Sequence, residues 1–600
     1  VTSGGATRRG AARDAASWLP LAAFALAVAA YANAASGEFV FEDLTLIVDN
    51  EAIATPSRWP RVFAAAPGAF GTAVNAYRPL PSLFFLLLRA AGVTGPGPFH
   101  LLSIACHAVA TTLVFVLAAR LLGRTPLACW AAFGGAALFA VHPVHVEAVA
   151  WASGLAIVAC ACCSMGAILA YVRADEDGRR GPFIAASLAS LALALLCHES
   201  ALVVPVAIAG YDLLVRRDLV RSSADVARRW APVAAVAAAY GLTRTIALGG
   251  LVPVDVDGGS AAWSVAAAWP QLLAAYVRLY VAPVGLTVMH DVPAMLAHDA
   301  AALAACSGGL AVGGLACWYA RRAGGTAAFG VLLFLLGLAP ALAAPLAARE
   351  LSAATFAERF LYLPSAGASI ALAAALARAG GRSPAAARGF AVCLAVVAVA
   401  FGGMTRARNR TWNDGLSLWS DAAAKSPGVA AARESHGLAL LGRGRSDAGT
   451  RELQAALALS PGLPARWIDA GTAWARQGRT TQAIRCFQTA LLYRPADARA
   501  HYNLAVAFER MGWNRDAIAE YKATIAGDPG HADAHNNLGI IYAQTYRPDE
   551  ALEQFSAAVR SRPDDAELRS NLARAYDAKG LAREAEAERA RVRALERPPR

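Results

Sequence analysis

A chain of 600 residues that is 57% hydrophobic, with a mean hydropathy of +0.41, is too apolar for an ordinary soluble protein. The net charge of +12 is no nucleic-acid footprint, because most basic residues before position 400 stand in short clusters between apolar stretches. The ten cysteines lie mostly inside those stretches without paired zinc spacing, and read as small buried apolar side chains.

A short tail, residues 1–16, carries Arg8, Arg9 and Arg13 before the first apolar stretch, which reads as a retained anchor because no small-residue cleavage site follows. Crossing a bilayer takes roughly 20 mainly apolar residues. Eleven stretches qualify: 17–35, 99–120, 126–142, 153–172, 182–198, 200–215, 230–249, 301–320, 327–346, 361–378 and 388–405. The expected fold is all-α: a multispanning helical domain over 17–405, a connector with a half repeat at 406–429, and a helical repeat domain over 430–600. Arginine clusters, including Arg120/Arg124, Arg216/Arg217/Arg228/Arg229 and Arg378/Arg382, fall on one face, the cytoplasmic one. The opposite face collects Glu42/Asp43, Arg78, His142/His145/Glu147, His198/Glu199, His290/Asp291 and Glu358/Arg359, and with an odd span count the C-terminal domain too. Residues 78–91 and 269–290 look helical but are placed on the outer surface, the first as too short and the second as amphipathic.

Clustering of ionisable residues at membrane level points to a site. In Phe39-Val-Phe-Glu-Asp-Leu44, two adjacent carboxylates sit among bulky apolar residues, an arrangement that raises or couples pKa values and suits a general base; ordinary solvated loop charges are the alternative. His142, His145 and Glu147 have the look of metal ligands, yet Pro143 breaks helical spacing and no fourth ligand is evident, so acid–base work or substrate hydrogen bonding is the functional expectation. Arg78 and Arg359 suit a phosphate through the guanidinium fork, or else an ion pair, for Arg359 with its neighbour Glu358.

Prolines 427, 461, 495, 529 and 563 recur every 34 residues, the tetratricopeptide period. Leu504/Leu538/Leu572 mark the first helix of each unit, and Ala483/Ala517/Ala551 with Phe487/Tyr521/Phe555 mark the second. Four full repeats are expected at 430–463, 464–497, 498–531 and 532–565, with a half unit before and a partial one after. The first is degenerate, with Gly449 and Leu453 at the small and aromatic positions. Stacked pairs form a concave face for extended peptide, on which Asn503, Asn537 and Asn571 either bond an acceptor backbone or face neighbouring repeats and water. Trp412 and Trp419 are expected to dock this solenoid on the membrane, and Arg406, Arg408 and Arg410 to face lipid headgroups.

The succession FEDLTLIVDN, YRPL, ALFAVHPVHVEAVAW, HESALVVPVAIAGYDLL and ERFLYLPSAG, followed by the repeats, resembles the transmembrane and tetratricopeptide-repeat proteins similar to protein O-mannosyltransferases of the GT-C fold. That resemblance implies transfer of a sugar, mannose, from a polyprenyl-phosphate carrier to protein Ser/Thr hydroxyls. It implies Asp43 as base with Glu42 assisting, and donor or substrate contacts from Arg78, His142, His145, Glu147, His198, Glu199, Glu358, Arg359 and Tyr362. No cofactor or metal is called for; the partners are membrane lipid, the lipid-linked donor and an acceptor polypeptide, with no nucleic acid. Two departures stand out: His198-Glu199 replaces a common Lys-Glu, and the first acid of the pair is Glu rather than Asp. Rival readings are an inactive membrane-anchored scaffold, and transfer to glycan or lipid. The Arg- and Ala-rich composition, with lysine only at 425, 522 and 579, suggests a bacterial inner membrane with the active face and repeats in the periplasm.

Overall fold

The computed structural model describes residues 17–48, 77–176, 180–248, 269–292, 324–348, 356–461 and 463–595, with isolated positions between them. Among the described residues every regular element is a helix or helical turn. The chain divides into two compact units between Ser426 and Pro427.

Among the described residues of the first unit, six helices are long and apolar enough to cross a membrane: Gly97–Leu121, Ala152–Glu176, Arg180–Cys197, Gly325–Leu342, Glu358–Arg382 and Ala385–Trp412. Pro126–Val141 and Pro143–Val149 add a seventh if taken as one span bent by 49°. The other expected spans differ for physical reasons. Leu19–Ala34 is apolar but shorter. The stretch 200–215 opens as a helical turn, Glu199–Val203, leaving an α-helix of 11 residues, Val204–Leu214. At 1.5 Å per residue this covers about 16 Å, half the hydrocarbon thickness. Ser223–Ala247 has 25 residues but carries Arg228, Arg229 and Arg244. Arg229 is no loop charge: it is buried between Asp175 and Asp212, at 2.7 Å from each. Apart from Gly314 and Trp318, the stretch 301–320 lies outside the described residues.

Small residues set the closest helix approaches, as membrane helices require. Gly325–Ala348 and Tyr362–Arg382 meet at Gly330 and Gly367, where a Cβ on Gly330 would lie 2.7 Å from the Gly367 carbonyl oxygen. The amphipathic helix Trp269–Val281 buries Leu272, Tyr276 and Leu279 against Leu338, Phe356 and Leu361.

Among its described residues the second unit has five helix pairs, from Ala430–Gly442 with Ser446–Leu459 to Ala566–Ala578 with Ala582–Leu595. The expected partial last repeat is therefore a complete pair. Before them, the stretch 406–429 expected to hold a connector and half unit contains the helix Gly415–Lys425, which falls in the first unit. In the degenerate first repeat Gly437 faces Gly449, and a Cβ on either would come within 3 Å of the other's carbonyl oxygen, at 2.9 and 2.8 Å. A close backbone approach thus replaces aromatic filling.

Candidate active site

The acidic loop follows Leu19–Tyr31 and is held from three sides. Phe41 adopts φ 57°, a left-handed conformation that costs a non-glycine residue about 1–3 kcal/mol. Its ring lies 5.5 Å from that of Trp151 and 5.6 Å from that of Trp419, centroid to centroid. The next two residues then meet different surroundings. Asp43 is fully buried. Its Oδ1 accepts from the Ser153 amide at 2.8 Å and the Ser153 hydroxyl at 2.6 Å, and its Oδ2 from the Val40 amide at 3.2 Å. Burial pushes the Asp43 carboxyl up to about 6, against the pull of the Ser153 bonds. Glu42 is half-buried, and no hydrogen bond to its carboxylate is found among the described residues. Its charge is felt at Arg78.

Arg78 precedes the helix Pro79–Ala90 and grips Glu199 with both ends of its fork, Nε to Oε2 at 3.2 Å and Nη2 to Oε1 at 2.8 Å. The adjacent His198 is buried and accepts at Nδ1 from the Ser200 amide at 3.1 Å, which leaves Nε2 to carry the ring proton. A small cavity lined by His198, Ser200, Ile157, Pro340, Arg359 and Phe360 brings the His198 ring and the Arg359 side chain together. Arg359 donates through Nη1 to Glu147 Oε1 at 2.5 Å and through its amide to Oε2 at 2.9 Å. Its guanidinium sits 5.6 Å from the Trp151 ring centroid. Glu42, Arg78 and Glu199 on one side and Arg359 and Glu147 on the other are therefore charged groups joined through the neutral ring of His198.

Several expected roles fall elsewhere. Glu358 does not pair with Arg359. It is buried, accepting from the Thr287 amide at 2.5 Å, His290 Nε2 at 3.1 Å and Arg408 Nη2 at 3.4 Å. Arg408 does not face headgroups: it is buried between Glu358 and Asp421 Oδ2, the latter at 3.3 Å. Trp412 is likewise buried. His142, His145 and Tyr362 do not converge on an open site but form a polar core, each less than 2% exposed. His142 Nε2 donates to the Tyr280 carbonyl at 2.9 Å, and its ring stacks on Tyr280. His145 Nε2 lies 2.7 Å from Ser365 Oγ, and the Tyr362 hydroxyl 2.7 Å from His107 Nδ1. Glu147 lies 2.5 Å from Arg359, not beside the two histidines' ring nitrogens.

Ser153 and His107 were not singled out from sequence. Ser153 lies at the edge of an apolar stretch whose hydroxyl carries no pattern, whereas a histidine inside an apolar span, as His107 is, was itself a signal of a buried polar contact.

In the repeats the three asparagines are not equivalent. Asn503 is half-buried and unbonded among the described residues. Asn537 donates to the Tyr521 hydroxyl at 3.1 Å. Asn571 is buried, donating to Asn536 Oδ1 at 2.7 Å and accepting from Arg574.

Residues 471–512 match the family model described as TPR repeat, and 509–553 and 546–595 match the one described as tetratricopeptide repeat. The protein O-mannosyl-transferase Tmtc2 of Drosophila melanogaster is 33% identical over 199 residues, 32% of this chain and 21% of that protein. The protein O-mannosyl-transferase TMTC4 of Homo sapiens is 31% identical over 218 residues, 33% of this chain and 29% of that protein. The matched region thus spans less than a third of either relative. Among solved structures, the crystal structure of MamA matches at 23% identity and a TM-score of 0.26, over 27% of this chain and 94% of that one. Over about a third of its length the chain is similar to protein O-mannosyl-transferases, and it carries apolar helices of membrane-spanning length and a C-terminal solenoid of tetratricopeptide repeats.

Proposed function

We propose that the protein is a membrane glycosyltransferase that moves a sugar, mannose, from a polyprenyl-phosphate carrier to Ser/Thr hydroxyls of a polypeptide held by the repeats, on the extracytoplasmic face. The observation that carries this reading is the split environment of the acidic pair. Asp43 is enclosed and triply hydrogen-bonded, whereas Glu42 is half-open, without a hydrogen bond to its carboxylate among the described residues, and within the field of Arg78. A base must reach the proton it removes. Glu42 therefore takes the acceptor hydroxyl proton, and Asp43 with Ser153 fixes the loop, a reversal of the order expected from the resemblance.

In the transfer, the acceptor oxygen bonds to the anomeric carbon as its bond to the carrier phosphate breaks, and the hydroxyl proton passes to Glu42. The departing phosphate needs positive or hydrogen-bonding groups where charge develops. Arg78 and Arg359, oriented by Glu199 and Glu147, supply cations, and the Nε2 proton of His198 supplies a donor where the resemblance implies a fixed charge. The lipid-linked donor is a substrate of this reaction.

The test is transfer of labelled mannose from polyprenyl-phosphate-mannose to membrane-fraction proteins. Glu42→Gln should lower transfer at least ~100-fold, in the range of losing a general base. Asp43→Asn should lower it less and shift the unfolding temperature as well. Full transfer by Glu42→Gln would remove it from the mechanism. A silent scaffold is the second reading, favoured by the pairing of both arginines with carboxylates; no transfer with any donor sugar would put it first.

A further inference from the structure

Each repeat turns from its first helix to its second through one residue in the left-handed region. In four repeats this residue is glycine, Gly444, Gly478, Gly512 and Gly580, with φ of 74–75°. In the fourth it is Tyr546, with φ 58° and 94% of its surface exposed. Both facts run against stability. A side chain with a Cβ is strained there, and a ring in water gains nothing by packing. Neighbouring turns show that glycine satisfies the fold.

Tyr546 stands at the rim of a groove of about 750 Å³ between the fourth and fifth repeats. Its lining includes Ile540 and Ala543, Phe555, and Asn571, Arg574 and Ala575 of the helix Ala566–Ala578. Arg574 is the one charged residue in that lining, is exposed, and has no ion-pair partner among the described residues. An apolar trough with a single uncompensated cation asks for an apolar group beside an anion.

We propose that this groove binds an extended polypeptide segment in which a bulky apolar side chain is followed by a carboxylate, the apolar group packing on Tyr546 and the carboxylate meeting Arg574. This rests on the reading that the repeats hold the acceptor, and narrows it to a class of sequence. Tyr546 is then retained for contact at the expense of the turn.

Binding is measured without sugar donor, on the full chain in detergent, by fluorescence anisotropy of a fluorescein-labelled Ala/Ser/Thr peptide carrying one Phe–Asp step. The same peptide with Phe–Lys or Ala–Asp is the control. Wild type should prefer Phe–Asp. Tyr546→Gly should weaken binding about tenfold or more, as loss of an aromatic anchor does, while leaving the thermal midpoint of the solenoid no lower. Arg574→Gln should erase the preference for Phe–Asp over Phe–Lys. Unchanged binding by Tyr546→Gly, a lowered midpoint, or equal binding of all three peptides overturns the proposal. Self-association abolished by Tyr546→Gly and not displaced by peptide would assign the groove to a second copy instead. Peptide binding that behaves as expected in a chain with no transferase activity would sink the enzyme reading and leave the groove standing.

Discussion

The two units solve the same problem, satisfying polar groups between packed helices, over very different reaches of chain. In the repeats the bonds are short-range and recur. The side chains of Arg433, Trp467, His501, His535 and Arg569 each donate to the carbonyl of the proline six residues earlier. Four of those five also meet a partner 19 residues later on the second helix of the pair: Glu452, Glu520, Gln554 and Glu588. In the first unit Asp43 reaches Ser153, Arg78 reaches Glu199 and Arg359 reaches Glu147, over separations of 110, 121 and 212 residues. Short-range bonds make stability a sum over repeats, each loss felt locally. Long-range bonds between buried groups tie distant helices together, so one loss strands a partner in low dielectric.

That contrast is sharpest at Glu358. Its replacement by alanine leaves the Thr287 amide without its buried acceptor and Arg408 with Asp421 alone, and should cost about 3–5 kcal/mol, read as a fall in the unfolding midpoint of the first unit in detergent. A change under about 1 kcal/mol would mean water reaches the site. Next comes Asp43. Its folded pKa near 6 exceeds the ordinary 3.8, so the folded state binds its proton more tightly than the unfolded state does. The resulting stabilisation is full below about pH 4 and lost as pH rises through 6, amounting to about 3 kcal/mol in all. Denaturation from pH 4 to 7 should show this fall in wild type and a flatter profile in Asp43→Asn; parallel profiles would mean Asp43 titrates normally. The smallest effect is expected in the repeats. Trp467→Phe removes one N–H donor to the Pro461 carbonyl and should cost about 0.5–1.5 kcal/mol. A larger loss, spreading to the other four helix pairs, would show that the repeats do not add independently.

The same difference in reach explains what could be read from the chain alone. The prolines at 427, 461, 495, 529 and 563 announce the repeats because one spacing serves one structural need. The donor six residues after each proline stayed hidden, because arginine, tryptophan and histidine share an N–H and little else. In the first unit, Glu42-Asp43 was legible as a pair of charges among aromatic residues, but not which of the two would be enclosed. That is decided by Ser153, brought from far along the chain. Glu358 and Arg359 suggested a pair by adjacency, yet neighbours on a helical turn point apart, and each found a partner elsewhere. Arg408 looked like a headgroup contact because its carboxylates, Glu358 and Asp421, are not beside it in sequence.

The bond from each repeat's first helix back to the preceding proline has a consequence for how such a chain grows. Acceptor and donor lie on either side of one junction, six residues apart. A duplication or excision of one 34-residue period, wherever its endpoints fall, restores that junction with both groups present. No orphaned carbonyl marks the seam. Copy number in the solenoid is therefore free to drift, while an insertion that falls between a proline and its donor would part the pair and cost that hydrogen bond.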